Sequence, residues 1–247
     1  MLASVLTGLL LWQDPAPAPT PAPAPKVELP ASAEAWDDRT AKAALAEFEK
    51  ASKGKASIAD RTRALEALGK GSSKLLVKPL VKVIETEKSV LVRQKAAAVL
   101  ARQPAKDANP AIRKLLGHAR VGSEPTLQAE LIRALANCGY DKSQWQDIAD
   151  LFEREYHAER VTLQEAILDL VARHQEQQAL PLLLRNFDEP IPEHPDDPSN
   201  PPAEYWEARW KAWAAWRGKV KETVFTLTGQ RFTTAAEAKA WLAKKPR

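Results

Sequence analysis

The chain has 247 residues, of which 45% are hydrophobic and 28% are charged, and its formal net charge is +4. This balance is typical of a globular protein and excludes a fibrous one. A single cysteine, Cys138, excludes an intramolecular disulfide framework, and its apolar helical neighbours predict a small buried side chain rather than a nucleophile. No apolar stretch reaches the roughly 20 residues that a conventional membrane-spanning helix needs.

The first segment, residues 1–13, contains an apolar run over residues 2–12 that is typical of a secretory signal. It departs from that pattern because no Lys or Arg precedes the run and no small-x-small cleavage site ends it, so a frayed apolar tail is the alternative. Residues 14–36 contain alternating Pro and Ala, which favours an extended polyproline II spacer, with a ligand for a Pro-binding domain as the alternative. We expect an exported protein, periplasmic or secreted.

From residue 37 to residue 185 the apolar residues recur at helical spacing, and the predicted helices fall into pairs. One helix type ends its apolar stripe at Leu68, Leu100, Leu135 and Val171, which are 32, 35 and 36 residues apart. The partner helices lie between these copies. A period of this length predicts a solenoid of helix pairs.

Start signals mark several of these helices. Asn109-Pro110 predicts an N-cap followed by proline at the first helical position. Ser143-x-x-Gln146 and Thr162-x-x-Glu165 each match a capping box, in which two side chains satisfy the first backbone N–H groups of a helix.

A first helix with an internal proline, then a second helix that opens at an Arg and continues Ala-Ala-x-x-Leu, resembles the HEAT and HEAT-like repeats. The best copy runs from Lys78-Pro79 to Leu100, with the Arg at Arg93. The resemblance covers residues 37–185 and extends to 229. It implies an all-α solenoid of about five helix pairs. The third and fourth copies carry Gln128 and Gln164 where the Arg is expected.

Residues 188–204 contain six prolines and are predicted to form an insertion inside a fifth pair, between Leu180–Phe187 and Glu204–Leu227. The possible ligands in it match no calcium or zinc loop, so we expect a solvated acidic loop and no metal. These residues are His194, Asp196, Asp197 and Asn200. Gly229 is expected to end the long helix. Residues 230–247 are predicted to cap the array through a helix over Ala235–Lys244, opened by Thr234-x-x-Glu237.

Four of the eight tryptophans lie in the helix after the insertion. Trp206, Trp210 and Trp213 share one helical face, and Trp216 lies on the shoulder of that face. The favoured interpretation is a buried face that closes the solenoid. The alternative is a binding surface formed by Trp206, Trp210 and Arg217, because Trp and Arg are typical of binding hot spots.

Charge is segregated along the chain, at +10 for residues 37–122, −11 for residues 123–204 and +7 for residues 205–247. The first part is therefore expected to attract an anionic partner. Second helices usually line the concave face of HEAT-like arrays, so the resemblance implies a basic inner patch there, with solvated helix faces as the alternative. Its residues are Arg61, Arg63, Arg93, Lys95 and Arg133.

No Ser/His/Asp order, HExxH, P-loop or GxGxxG motif is present, and the four histidines are scattered. We therefore expect no enzyme and no cofactor. The expected function is an exported scaffold that binds a protein, peptide or envelope polymer. One alternative is a nucleic-acid binder similar to the HEAT-like DNA repair glycosylases, using the basic N-terminal half, and export would argue against it. The other is a lyase, by analogy with HEAT-like lyases that act on bilin chromophores.

Overall fold

The structure, a computed structural model, describes residues 33–54, 56–192 and 198–244. The apolar segment 1–13 and most of the Pro/Ala segment lie outside this range, as do His194, Asp196 and Asp197 of the insertion. The described residues form twelve α-helices and one pair of two-residue strands, which confirms the all-α class.

The strands are β1 (Glu34–Ala35) and β2 (Gly71–Ser72). The helices are α1 (Asp38–Ser52), α2 (Ile58–Leu68), α3 (Lys74–Thr86), α4 (Val90–Leu100), α5 (Ala105–Leu116), α6 (Ala119–Gly122), α7 (Pro125–Asn137), α8 (Trp145–Glu153), α9 (Val161–His174), α10 (Leu180–Arg185), α11 (Ala203–Thr228) and α12 (Ala235–Lys244). Short 3-10 turns precede α8, α9 and α10.

The helices contact one another in pairs in chain order: α1 with α2, α3 with α4, α5 with α7, α8 with α9, and α10 with α11. We call the first member of each pair a first helix and the second member a second helix. The second helices contact one another in the order α2, α4, α7, α9 and α11, and the first helices α1, α3 and α5 do the same. The repeated apolar stripe ends at Leu68, Leu100, Leu135 and Val171, which are all buried.

The folded part begins earlier than residue 37. The β1 strand pairs in parallel with β2, and the Trp36 backbone N–H donates to the Ser72 carbonyl at 3.0 Å. The Trp36 ring lies directly over Gly71, where a Cβ atom would come within 1.9 Å of the ring. Gly71 is therefore needed for the close approach of the indole to the backbone.

The predicted helix start at Asn109-Pro110 is wrong. Helix α5 begins at Ala105, after Pro104, and contains Pro110 in its interior. The side chain of Asn109 instead links this pair to the next one. Its amide N–H donates to the Gly139 carbonyl, and its Oδ1 accepts from Gln144 Nε2 at 2.9 Å.

Two predicted capping boxes are also wrong. The capping box predicted at Ser143 and Gln146 lies two residues earlier, at Asp141 and Gln144. The Asp141 carboxylate accepts from the Ser143 N–H at 2.8 Å, and Gln144 Oε1 accepts from the Asp141 backbone N–H. Thr162 does not cap α9, because a 3-10 turn over residues 158–160 already leads into the helix at Val161.

The C-terminal helices follow the prediction closely. Helix α11 ends at Thr228, and Gly229 caps it in the left-handed conformation with φ of 72°. Helix α12 spans the predicted residues, and Thr234 Oγ1 accepts from the Glu237 N–H at 3.2 Å. The carboxylate of Asp188 accepts from the Ala235 N–H, so the start of the insertion also holds α12 against α10.

Candidate partner-binding surfaces

Arg93 does not belong to a basic surface patch. Its side chain is 2% exposed, its Nε donates to the Ile84 carbonyl at 2.7 Å, and one terminal nitrogen donates to the Arg120 carbonyl at 3.0 Å. Burial lowers the pKa of the guanidinium from its ordinary value. The guanidinium thus joins a carbonyl near the C-terminus of α3, where the helix dipole favours a cation, to a carbonyl of α6.

Arg120 completes this corner from the other side. Its guanidinium donates to the carbonyls of Glu85, Thr86 and Glu87 at 3.0 to 3.3 Å. Two arginines therefore share the carbonyls that the end of α3 leaves free. Both are part of the joint between the second and third helix pairs.

The residues at the positions equivalent to Arg93 in the other copies are also buried or partly buried polar residues. Gln164 is fully buried, donates to the Phe152 carbonyl at 3.1 Å and accepts from Trp216 Nε1 at 2.9 Å. Gln128 is also fully buried, but its amide makes no hydrogen bond within the described residues. Arg61 lies partly buried in an ion pair with Glu87 at 2.8 Å. We call Arg61, Arg93, Gln128 and Gln164, which occupy the same position in successive second helices, the polar row.

The remaining candidate cations are neutralised by neighbours. Each lies within ion-pair distance of a carboxylate: Arg63 of Asp60 at 3.2 Å, Lys95 of Glu66 at 2.7 Å, and Arg133 of Glu130 at 2.5 Å. The Lys95 ammonium lowers the pKa of the Glu66 carboxyl below its ordinary value. The expected inner patch therefore consists of one buried cation and four paired ones.

Helix α11 divides into a buried half and a partly exposed half. Trp216 and Trp213 are 1% and 6% exposed, whereas Trp206 is partly exposed and Trp210 is 45% exposed. Trp216, which the helical projection placed on the shoulder of the stripe, is the most deeply buried of the four because it packs on Phe152 and bonds to Gln164. The buried-face interpretation holds for the second half only.

The exposed half is organised around one arginine. The Arg209 guanidinium lies 5.0 Å from the ring centroid of Tyr156 and 5.6 Å from that of Trp206. Tyr205 contacts both rings edge-on, at centroid distances of 6.3 and 5.4 Å. We call Tyr156, Tyr205, Trp206, Arg209 and Trp210 the aromatic cluster. The first four side chains contact one another and Trp210 follows Arg209 in the chain, so the cluster is held in place before a partner binds.

Two further contacts fix the edges of this surface. Trp210 Nε1 donates to Glu189 Oε1 at 2.6 Å, which ties the exposed indole to the first residues of the insertion. Arg217, the third residue predicted with Trp206 and Trp210, stacks on Trp213 at 5.0 Å from its centroid and is exposed. Tyr156 could not be found from the sequence because it follows α8, far from α11 along the chain.

The reactive side chains outside the aromatic cluster are buried or hydrogen-bonded within the fold. Cys138 is buried, as predicted, and burial raises the pKa of its thiol to about 11. The Tyr140 hydroxyl donates to the buried Glu176 at 2.8 Å, and the other Glu176 oxygen accepts from the Gln178 N–H at 3.0 Å. Among the described residues, no group of three or more His, Cys, Asp or Glu side chains is arranged to hold a metal ion.

Comparisons with protein-family models, curated proteins and solved structures give no match for this chain.

Proposed function

We propose that this chain is an exported, non-enzymatic binding protein that folds as a HEAT-like α-solenoid of five helix pairs capped by α12. The repeat period and the contact of each second helix with the next support the solenoid. The apolar run at residues 2–12 supports export. None of the described helices is long and apolar enough to cross a bilayer.

The aromatic cluster carries the proposal of a protein or peptide partner. Interface hot spots are enriched in Trp, Tyr and Arg held in well-packed positions, because rigid rings bury a large area at little entropic cost. Arg209 is held between two rings before any partner arrives. Trp210 presents nearly half of its surface to solvent beside it. This combination favours the recognition of a protein surface.

The two alternatives from the sequence have less support. A nucleic-acid binder would use the basic N-terminal half, and there the second-helix cations Arg61, Arg63, Arg93 and Lys95 are each buried or paired with a carboxylate. The free cations of that half lie on the first helices, which expose no Phe, Tyr or Trp within the described residues. A lyase would need convergent acid–base groups. The buried Tyr140–Glu176 pair does not supply them, because both carboxylate oxygens are already engaged.

A photocrosslinking experiment tests the partner site. A photoreactive benzoylphenylalanine replaces Trp210 in one version of the full chain and the exposed Lys239 of α12 in the other. Irradiation of producing cells is expected to give a discrete adduct from position 210 and none from position 239. The adduct should weaken when Tyr205→Ala and Arg209→Ala are added, because these side chains hold the cluster together.

Identical adducts from both positions, or none from position 210, would refute the site. Cell fractionation with N-terminal sequencing tests export separately. Recovery of a processed chain outside the cytoplasm is expected, whereas an intact Met1 in the cytoplasm would refute that part.

A further inference from the structure

The first helices α1, α3 and α5 together carry nine Lys and Arg against five Asp and Glu, so they hold part of the positive charge of residues 37–122. The exposed basic residues there are Arg39, Lys42 and Lys50 on α1, Lys74, Lys78 and Lys82 on α3, and Lys106, Arg113 and Lys114 on α5. We call these nine residues the lysine face. Within the described part of the chain, only Arg113 has a carboxylate within ion-pair distance, Asp147 at 3.8 Å. Exposed carboxylates also lie on α1 and α5, at Asp38, Glu47, Glu49 and Asp107. The row on α3 is therefore the part of the face with no exposed acidic residue on its own helix, and none of its lysines forms an ion pair within the described residues.

The geometry of the helices spreads these charges in two dimensions. Lys74, Lys78 and Lys82 follow one another at four-residue intervals, so they lie about 6 Å apart along one side of α3. The opposite side of α3 carries the buried Leu80 and Ile84. Helix α3 packs between α1 and α5, and packed helices lie about 8–10 Å apart. The basic residues of the three helices are therefore carried by neighbouring helices, with the α3 row between the other two.

This arrangement fits a planar anionic surface better than a linear polyanion. A single nucleic-acid strand is held by aromatic rings on which its bases stack, and no Phe, Tyr or Trp is exposed on the three helices in the described structure. The face is mostly lysine, which acts as a point charge, rather than arginine, which recognises phosphates as a planar fork. Lysines near an anionic bilayer contribute additively to binding.

An amphipathic cleft adjoins the face. A cavity of about 500 Å³ lies between α1 and the α3–α4 pair, with Phe48, Pro79 and Val83 among its apolar walls. Lys53 and Lys82 lie at the same cavity, and Lys82 is also part of the lysine face. The lining also includes Glu49 and the Arg61–Glu87 ion pair, so the cleft combines apolar walls with charged groups of both signs. A phospholipid, which carries an anionic headgroup on an apolar body, would meet Lys53 and Lys82 at this cleft.

We propose that the lysine face of α1, α3 and α5 binds the anionic phospholipid headgroups of a bilayer surface. The attraction is electrostatic and scales with the number of free lysines that reach the headgroups. The surface is separate from the aromatic cluster on α11.

Vesicle flotation of the full chain tests this surface. Vesicles of phosphatidylcholine alone are compared with vesicles in which phosphatidylglycerol replaces part of the lipid, and the ratio of the two partition coefficients is measured. The variant Lys74→Glu/Lys78→Glu/Lys82→Glu should lower this ratio at least about tenfold, since three free lysines are reversed. Raising the salt concentration should lower it as well.

The matched control is Lys221→Glu/Lys239→Glu/Lys244→Glu, which changes the net charge equally at exposed positions of α11 and α12. It should keep the wild-type ratio to within about threefold, because these lysines lie outside the face. Equal losses in both variants, or no preference of the wild type for phosphatidylglycerol, would overturn the proposal. Displacement from the vesicles by duplex DNA at lower concentration than by soluble phosphatidylglycerol would also overturn it, in favour of a nucleic-acid site.

Discussion

The first and second helices of this protein carry similar numbers of basic residues but use them differently. On the second helices Arg61 and Lys95 are paired with carboxylates, and Arg93 is buried against backbone carbonyls. On the first helices the row Lys74, Lys78 and Lys82 is exposed and has no acidic partner in the described residues. The difference shows that the net charge of a segment of the chain does not tell which helix face attracts a charged partner. Whether a cation can attract a partner depends on whether it is already paired or buried in the fold.

The largest predicted effect contrasts Arg93 with Lys78. Arg93→Met removes a buried guanidinium, leaves the Ile84 carbonyl without its side-chain donor and leaves the Arg120 carbonyl with Ser123 Oγ alone, which should lower the free energy of unfolding by about 2–4 kcal/mol. Lys78→Met is its control on the exposed face and should change it by less than about 0.5 kcal/mol. Urea denaturation measures both. Similar losses in the two variants would remove the contrast between the layers.

The next effect concerns Gln164 in the polar row. Gln164→Met should destabilise the fold by about 1–3 kcal/mol, because the Trp216 indole N–H and the Phe152 carbonyl lose their partner in a buried setting. Urea denaturation, with Trp fluorescence as the signal, follows the change at Trp216. A variant as stable as the wild type would show that water replaces the lost amide.

The equivalent position in the previous copy should behave in the opposite sense. Gln128 is buried and its amide has no hydrogen-bond partner in the described residues, so it carries a desolvation cost without compensation. Gln128→Met should raise the free energy of unfolding by about 1 kcal/mol. A loss of stability in thermal denaturation would mean that an ordered water or another group satisfies this amide.

The smallest effect is expected at the pair Lys95 and Glu66. Because the bond lowers the Glu66 pKa, its contribution to stability is present above the ordinary pKa of a glutamate and fades as pH falls through the lowered value. A double-mutant cycle with Lys95→Ala and Glu66→Ala, run at pH 7 and at pH 2.5–3, is expected to give a small coupling at neutral pH only. A coupling that is unchanged in acid would contradict the assignment.

Local signals predicted the fold best where nothing distant competed with them. Gly229, Thr234 and Glu237 set the end of α11 and the start of α12, and the structure places both as expected. Asn109 has the composition of a helix cap, but it bonds instead to the next pair, and Pro104 starts α5. The local sequence does not show when a residue of the capping type bonds to a distant part of the fold instead of capping a helix.

The candidate surface was only partly predictable for a similar reason. The residue types and their spacing predict Trp206 and Trp210, but the ring that completes the Arg209 stack, Tyr156, belongs to a different pair. The HEAT resemblance predicts Arg93 on the surface because it places the second helices on the concave face, but the resemblance does not show whether a long side chain turns inward. Its destination depends on where α3 ends, which is a tertiary property.

Lysine footprinting of the intact chain tests the contrast between the two layers most directly. The protein is acetylated briefly, with and without phosphatidylglycerol vesicles, and the modification of each lysine is read by mass spectrometry. We expect Lys74, Lys78 and Lys82 to react readily in solution and to be protected by the vesicles, while Lys95 and Lys239 stay unchanged. Uniform protection of all lysines, or protection of Lys95 instead of the α3 row, would contradict the account.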